Sequence, residues 1–467
     1  MIYFILIFGF FLRLWNLNQS FWLDEAINVL AVRENSLVNL ITKYSTGDFH
    51  PPLYHILLWF WTKGFGFTEI STRMLSVLFG IATVFLCFFL LKRIFTPAIG
   101  LMTALFLATS PLHIYYSQEA RMYAETAFFA LLSIYFFIAI IAKNSNKKVL
   151  PWIGYCISSI ILIYSEYLPF SLILAQNIFI VLNRKKLGAD LIKKWFGIQF
   201  ILLILFTPWI PYLLKQLQTA LSVGQMYPLW NQVVGQGSIK GVIVLFIKFI
   251  IGRISMGDKF IYGIIMTPIM LITSGLIIYL IKKKWKDKAV KLVGLLFALP
   301  ILISFLVSFY FSVFSYFRFI FLLPLFYLLV VLGINSIHTK SVRRAVLIFF
   351  VISNLGSIII FNTNKRFWRE DWRSAVSFIE SGTEKNSIAV MVNPAQNAGY
   401  NYYSSGIVPL VYGNDWKYNA YKTVWLIRYV QPIFDVTDMV RQNIEMAGYK
   451  KLTEYDFNGV IVWKYTI

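Results

Sequence analysis

TRMLSVLFGIATVFLCFFLL, residues 72–91, is an apolar run that stops at Lys92-Arg93. A helix needs about 20 such residues to cross the ~30 Å hydrocarbon core of a bilayer, so the stretch reads as a membrane span closed by a basic loop. Runs of the same kind fall near residues 1–17, 98–115, 124–142, 149–165, 168–182, 196–213, 260–281, 289–309, 318–335 and 345–361, which predicts about eleven spans. The composition agrees. Of 467 residues, 58% are hydrophobic and 14% charged, with a mean hydropathy of +0.67. An average soluble domain is about 45–50% apolar and about 25% charged, so soluble, collagen-like and disordered chains are excluded.

The formal charge of +22 belongs to the loops, which argues against nucleic acid as a partner. Lys92-Arg93, Lys143/Lys147/Lys148, Asn183 to Lys186, Lys282 to Lys286 and His338 to Arg344 alternate with poorly basic loops, the positive-inside pattern of a multi-pass cell-membrane protein. The expected arrangement has a cytoplasmic N-terminus. The first run lacks a basic leader and a small-residue cleavage site, so it reads as a retained span. Leu53 to Trp61 is too short to cross and reads as interfacial; Gly241 to Gly252 reads as interfacial or re-entrant, because a crossing there would move the Lys282 cluster outside. Cys87 and Cys156 lie inside apolar runs and form no disulfide or metal pattern.

On this topology residues 18–71, 116–123, 214–259 and 310–317 face outside, as does the tail. Residues 1–361 form the expected transmembrane domain and 362–467 a small soluble exterior domain, the latter with 12 Lys+Arg and 10 Asp+Glu. Helix-like Asp371 to Glu380 and Val436 to Ala447 alternate with strand-like Ser387 to Val392, Thr423 to Tyr429 and Gly459 to Tyr465, an α/β pattern without a nucleotide-binding loop.

Chemistry-bearing residues concentrate in the exterior loops. Phe21-Trp22-Leu23-Asp24-Glu25-Ala26 puts two carboxylates at the membrane surface. The plain alternative is that Asp24 caps a following helix; a partly shielded carboxylate near cations also suits a general base. The loop closes with Asp48-Phe49-His50-Pro51-Pro52-Leu53-Tyr54, which holds His50 at the rim, and four histidines in the chain give no metal cluster. The second loop, Tyr115 to Glu125, carries Glu119, Arg121 and Tyr123, for which the plain reading is an aromatic belt with a Glu119/Arg121 surface pair. Arg318 enters a late span from outside and is the only charged residue between Lys291 and Lys340; a snorkelling arginine is the plain alternative. Acidic loops and isolated arginines at one membrane face suit chemistry on a lipid-linked phosphate.

These residues together resemble the GT-C glycosyltransferases, nearest to the protein O-mannosyltransferase superfamily (glycosyltransferase family 39-like) and the lipid A aminoarabinose transferases. The likeness rests on Trp22-Leu23-Asp24-Glu25-Ala26, His50-Pro51-Pro52-Leu53-Tyr54, Ser117 to Tyr123, Arg318 and the tail's Asp371-Trp372-Arg373. It implies a polytopic α-helical membrane protein of GT-C type, with about eleven transmembrane helices and a C-terminal α/β exterior domain. The implied activity is transfer of a sugar from a polyprenyl-phosphate donor, with inversion, to a lipid, glycan or protein acceptor. In that frame Asp24 activates the acceptor and Glu119 is the second catalytic acid, while Glu25, His50, Arg121, Tyr123 and Arg318 contact substrate. The donor lipid is the substrate and no cofactor is required, although an oligosaccharyltransferase of the same fold would use a divalent metal. Two features depart from the relatives. His50 stands where aminoarabinose transferases carry Lys, so phosphate contact there requires its protonated form. The insert from Lys215 to Lys259 has no clear counterpart. The competing class is a transporter or flippase of lipid-linked saccharides, but no internal repeat is evident and the acidic residues sit at one surface.

Overall fold

The computed structural model describes the chain except residues 143–147, 385, 414, 418 and 419; the basic positions Lys143 and Lys147 lie outside the described residues. The protein is mostly helical, with a small sheet domain at its C-terminal end. Among the described residues, eight helices are long and apolar enough to cross a membrane, or nine when a bent pair counts as one span. Three shorter apolar helices, Ile2–Leu14, Leu150–Ser165 and Phe170–Leu182, occupy the positions read as the first, fifth and sixth spans.

The run read as one straight third span is broken. Pro97–Ala108 and Pro111–Ser117 meet at 61°. Ser110 starts the second piece by accepting the His113 N–H at 3.3 Å, and Pro111 brings no N–H of its own to the first turn. A break in an apolar setting leaves carbonyls that need partners. Arg13, fully buried, donates to the carbonyls of Ala108 (3.1 Å) and Gly9 (2.8 Å) and to Ser117 Oγ (3.3 Å), and it pairs with His113 Nδ1 at 2.8 Å.

Leu53–Phe65 forms a 13-residue helix that is not among the candidate spans. Pro228–Ile251 passes the span test by length and composition, yet it consists of two helices, Pro228–Val234 and Ile239–Ile251. At the interruption the Gly235 carbonyl accepts the Phe314 N–H at 2.8 Å, and Ser315 Oγ donates to the Val234 carbonyl at 2.6 Å. At the far end Gly252 has φ +67°, and an added Cβ would lie 2.8 Å from Pro111 Cβ. Only glycine permits that approach, which sets Arg253 against Tyr115.

The tail holds β1 (Ser387–Met391), β2 (Leu410–Tyr412), β3 (Thr423–Ile427), β4 (Lys450–Phe457) and β5 (Val460–Thr466), ordered β2-β1-β3-β5-β4. β2, β1 and β3 run parallel, whereas β5 is antiparallel to both β3 and β4. β1 and β3 are buried along their whole length, which is why each reads as a continuous apolar run. On one face lies the Met439–Met446 helix, with Val440 and Ile444 against Ile388, Val390, Val424 and Leu426. On the other lies the Trp372–Ser381 helix, but the core there also contains Phe21, Leu23, Ala26, Val29 and Leu30 from the first loop. The tail's core therefore crosses the division drawn at residue 361. Further ties join the same surfaces: Arg373 pairs with Glu69 at 2.5 Å, and Tyr403 Oη accepts the Phe21 N–H at 2.8 Å.

Candidate active site

The helix Leu23–Glu34 begins one residue before Asp24, with Trp22 as its N-cap and no side-chain cap. Asp24 is therefore not the cap. Its side chain, 37% exposed, forms an ion pair with Arg121 from the second loop. The Leu23 N–H is taken instead by Glu370 Oε2 of the tail, at 3.2 Å.

Glu25 faces the other way. Fully buried, it receives Arg73 in a fork, Nε to Oε1 at 2.8 Å and Nη2 to Oε2 at 2.5 Å, and it accepts the Ala120 N–H at 2.9 Å. Arg73 also donates to the carbonyls of Leu17, Gln19 and Ser20. Glu25 is expected from the sequence to contact substrate; in the structure both of its oxygens are engaged inside the protein, where Glu25 fastens the two acidic loops to the Glu69–Ile94 helix. A buried pair of this kind is held by mutual need, because loss of one partner strands the other charge.

The second loop likewise departs from its plain reading. Arg121 turns to Asp24 rather than to Glu119, and its guanidinium lies 5.7 Å from the Trp22 ring centroid and 5.3 Å from that of Tyr123. It also approaches His50 Nε2 at 3.4 Å. Tyr123, buried, packs edge-on against Tyr116 and Phe317, and so carries the contact toward the segment of Arg318. Glu119 is fully buried, and among the described residues neither carboxylate oxygen has a partner at full hydrogen-bond geometry, the Tyr115 side chain acting on it only weakly. Burial pushes its carboxyl up to about 7, against the pull of Arg369 and Arg253.

His50 stands between two carboxylates, Asp48 Oδ1 at 3.5 Å from Nδ1 and Glu166 Oε2 at 3.8 Å from Nε2. Asp48 also faces His55 Nδ1 at 3.8 Å. Burial acts to raise the Asp48 carboxyl, but His50 and His55 together hold it below the usual carboxylate range. Among the described residues no three His, Cys, Asp or Glu side chains are placed to hold a metal ion. The structure thus gathers Asp24, Arg121, His50 and Tyr123 into one cluster, with Asp48 and Glu166 behind His50. Arg318, on the 3-10 turn Tyr316–Leu322, makes no ion pair among the described residues, and its Nε is buried without a partner.

A second cationic group lies beside the cluster. Arg253 and Arg369 both stack on Tyr115, at 4.7 Å and 4.4 Å from the ring centroid, and Arg253 donates to the Tyr115 hydroxyl. Arg369 also donates to the carbonyls of Tyr115 (3.2 Å) and Gln118 (3.0 Å), which end the helix leading to Glu119. Sequence reasoning gave no role to Arg73, Arg253, Glu166 or the Arg369-Glu370 pair. The available signals were a charge at the mouth of an apolar run and two charged residues abutting the Asp371-Trp372-Arg373 motif. Beside Pro52 opens an apolar groove of about 330 Å³, lined by Ile41, Leu53, Ile56, Tyr164, Trp209 and Tyr212.

Helical bundle, bent third span, acidic loops and a sheet domain packed on the first loop define a class: the protein has the GT-C membrane fold. Within it, residues 49–212 match the family model described as dolichyl-phosphate-mannose-protein mannosyltransferase. The solved structures it resembles include ArnT from Cupriavidus metallidurans bound to undecaprenyl phosphate, with TM-score 0.57 and 11% identity over 98% of this chain and 96% of that one. The apo oligosaccharyltransferase of Archaeoglobus fulgidus gives TM-score 0.58 and 10% identity, over 99% of this chain and 74% of that one. The archaeal oligosaccharyltransferase AglB from Archaeoglobus fulgidus, in complex with an inhibitory peptide and a dolichol-phosphate, gives TM-score 0.52 and 10% identity over 99% of this chain and 74% of that one. Comparison with curated proteins finds no match.

Proposed function

We propose that the protein is a glycosyltransferase that moves a sugar from a polyprenyl-phosphate donor to a lipid, glycan or protein acceptor, at the exterior face of the cell membrane and with inversion. The observation that carries the reading is Asp24: a carboxylate more than a third exposed, on the first turn of a helix, held by Arg121 beside His50. In this reading the lipid tail leaves through the apolar groove beside Pro52, and the phosphate meets Arg121 beside His50. Asp24 takes the acceptor's proton as the acceptor attacks the anomeric carbon. The sugar–phosphate bond breaks on the opposite side, its electron pair leaves with the phosphate, and cationic side chains stabilise that charge without a general acid. The reaction needs no cofactor beyond the donor; insensitivity to chelators separates it from a metal-dependent oligosaccharyltransferase.

The test uses purified protein in detergent with radiolabelled polyprenyl-phosphate sugars, scoring release of polyprenyl phosphate and capture of sugar by a membrane extract. Asp24→Asn is expected to bind donor normally and to lose about 10²-fold or more in turnover. Tight donor binding without transfer by either form would replace this reading with transport.

A further inference from the structure

The tail reaches into the candidate site at one dipeptide. Glu370 Oε2 accepts the Leu23 N–H and the Trp372 Nε1–H, both at 3.2 Å, while Oε1 accepts the Tyr429 hydroxyl at 2.8 Å. The first-turn N–H groups of a helix have no partner within the helix, and Trp22 supplies no side-chain cap to this one. Glu370 meets that need from 347 residues away in sequence. Its neighbour Arg369 holds the other acidic loop, through the carbonyls of Tyr115 and Gln118. The residue after Leu23 is Asp24, whose carboxylate meets Arg121. A helix start that frays by one residue swings Asp24 off that line, since its side-chain direction follows the first turn's backbone.

We propose that Glu370 is a positioning residue: by capping the helix Leu23–Glu34 from the sheet domain, it fixes the direction in which Asp24 presents its carboxylate beside Arg121. The proposal rests on the reading of Asp24 as the acceptor-activating base. It gives the tail a part in the reaction that requires no contact with substrate. It also distinguishes hydrogen bonding from charge. A glutamine at 370 keeps an oxygen for Leu23 and Trp372, and its amide N–H can donate to the Tyr429 oxygen, so every bond is retained without the negative charge.

The experiment compares Glu370→Ala and Glu370→Gln, alone and combined with Asp24→Asn, in the full chain in detergent. Hydrogen exchange of the peptide covering residues 21–30 reads the helix start without reference to activity, and kcat and KM for the radiolabelled polyprenyl-phosphate sugar read the consequence. Expected are faster exchange in Glu370→Ala, about a tenfold lower kcat with KM changed less than twofold, and near-wild-type values for both in Glu370→Gln. In the Asp24→Asn background Glu370→Ala is expected to cost nothing further, because a residue that acts through another is non-additive with it. Unchanged exchange in Glu370→Ala overturns the proposal, as does a Gln variant as poor as Ala, or an equal loss in both backgrounds. If Asp24→Asn alone turns over normally, the base assignment falls and the proposal with it; a slow Asp24→Asn with an unaffected Glu370→Ala removes only the positioning role. Should Glu370→Ala fail to fold, Tyr429→Phe loosens Glu370 without deleting it and is expected to give a smaller fall in kcat at constant KM; no fall overturns the proposal.

Discussion

Two adjacent carboxylates, Asp24 and Glu25, illustrate how one helical step decides a residue's use. Successive positions on a helix point about 100° apart, so one meets the open cluster and the other is driven into the bundle. Glu25 is ionised there because Arg73 and the Ala120 N–H receive it, and they outweigh the burial that acts to raise its carboxyl. Glu119 has no such ion pair among the described residues, and burial raises its carboxyl to about 7. A carboxyl with a raised folded-state pKa binds its proton in the folded protein over a range where the unfolded chain, near 4.5, has lost it. Folding stability contributed by Glu119 is therefore full below about pH 4.5 and falls as pH rises toward 7, by about 3 kcal/mol in all. Thermal unfolding in detergent from pH 5 to pH 8 should show this slope in the wild type and its loss in Glu119→Gln. Parallel slopes in the two proteins would show that Glu119 is paired in solution.

At the scale of elements, the bend between Pro97–Ala108 and Pro111–Ser117 depends on Arg13, whose planar fork serves two carbonyls, a hydroxyl and an imidazole at once. Lysine offers one ammonium and cannot reach four partners. Arg13→Lys is expected to lower stability by about 1–3 kcal/mol, read as a lower unfolding midpoint in detergent, and a midpoint equal to wild type would show that the fork is not what holds the bend. The sequence announced much of this architecture and concealed a definable part. Apolar runs located apolar helices without fixing the number that cross: eight among the described residues, or nine with the bent pair, are long and apolar enough. The strand-like runs at β1, β3 and β5 were legible, the first two because they are buried along their whole length. β4 was not, since Lys450–Phe457 is exposed along most of its length and carries no apolar signal. The 98–115 run hid its bend, because apolar content looks the same in a straight helix and a broken one. In the candidate site, Asp24, Arg121, His50 and Tyr123 stand in local motifs that the sequence displays, and the structure brings them together. The roles of Arg73, Arg253 and Glu370 were not, since each depends on a partner far away in sequence: 48 residues for Arg73 with Glu25, 138 for Arg253 with Tyr115.

For the whole molecule the question is which way it faces, and Ile239–Ile251 is the element that decides whether the first loop and the tail share a side. The Val234-Gly235 interruption before it touches Phe314 and Ser315, and the Gly252-Arg253 turn after it touches Pro111 and Tyr115. Tyr115 in turn lies under Arg369 of the tail, and Phe317, just past Ser315, lies against Tyr123 at the start of the next span. Both ends of the helix thus touch loops near the sheet domain, the contacts expected of an interfacial or re-entrant segment, although Pro228–Ile251 is long and apolar enough to cross. Three runs read as spans, 289–309, 318–335 and 345–361, separate Lys282 from the tail, so the two are expected on opposite sides of the membrane. Single cysteines at Lys282 and Lys450, both exposed, in a chain with Cys87 and Cys156 replaced, test the arrangement with a membrane-impermeant thiol reagent on intact cells. Lys450→Cys should label at once, and Lys282→Cys only after permeabilisation. Immediate labelling of both would mean that one of the three runs between them does not cross the membrane, and labelling of Lys282→Cys alone would place the sheet domain, with Asp24 beneath it, on the cytoplasmic side.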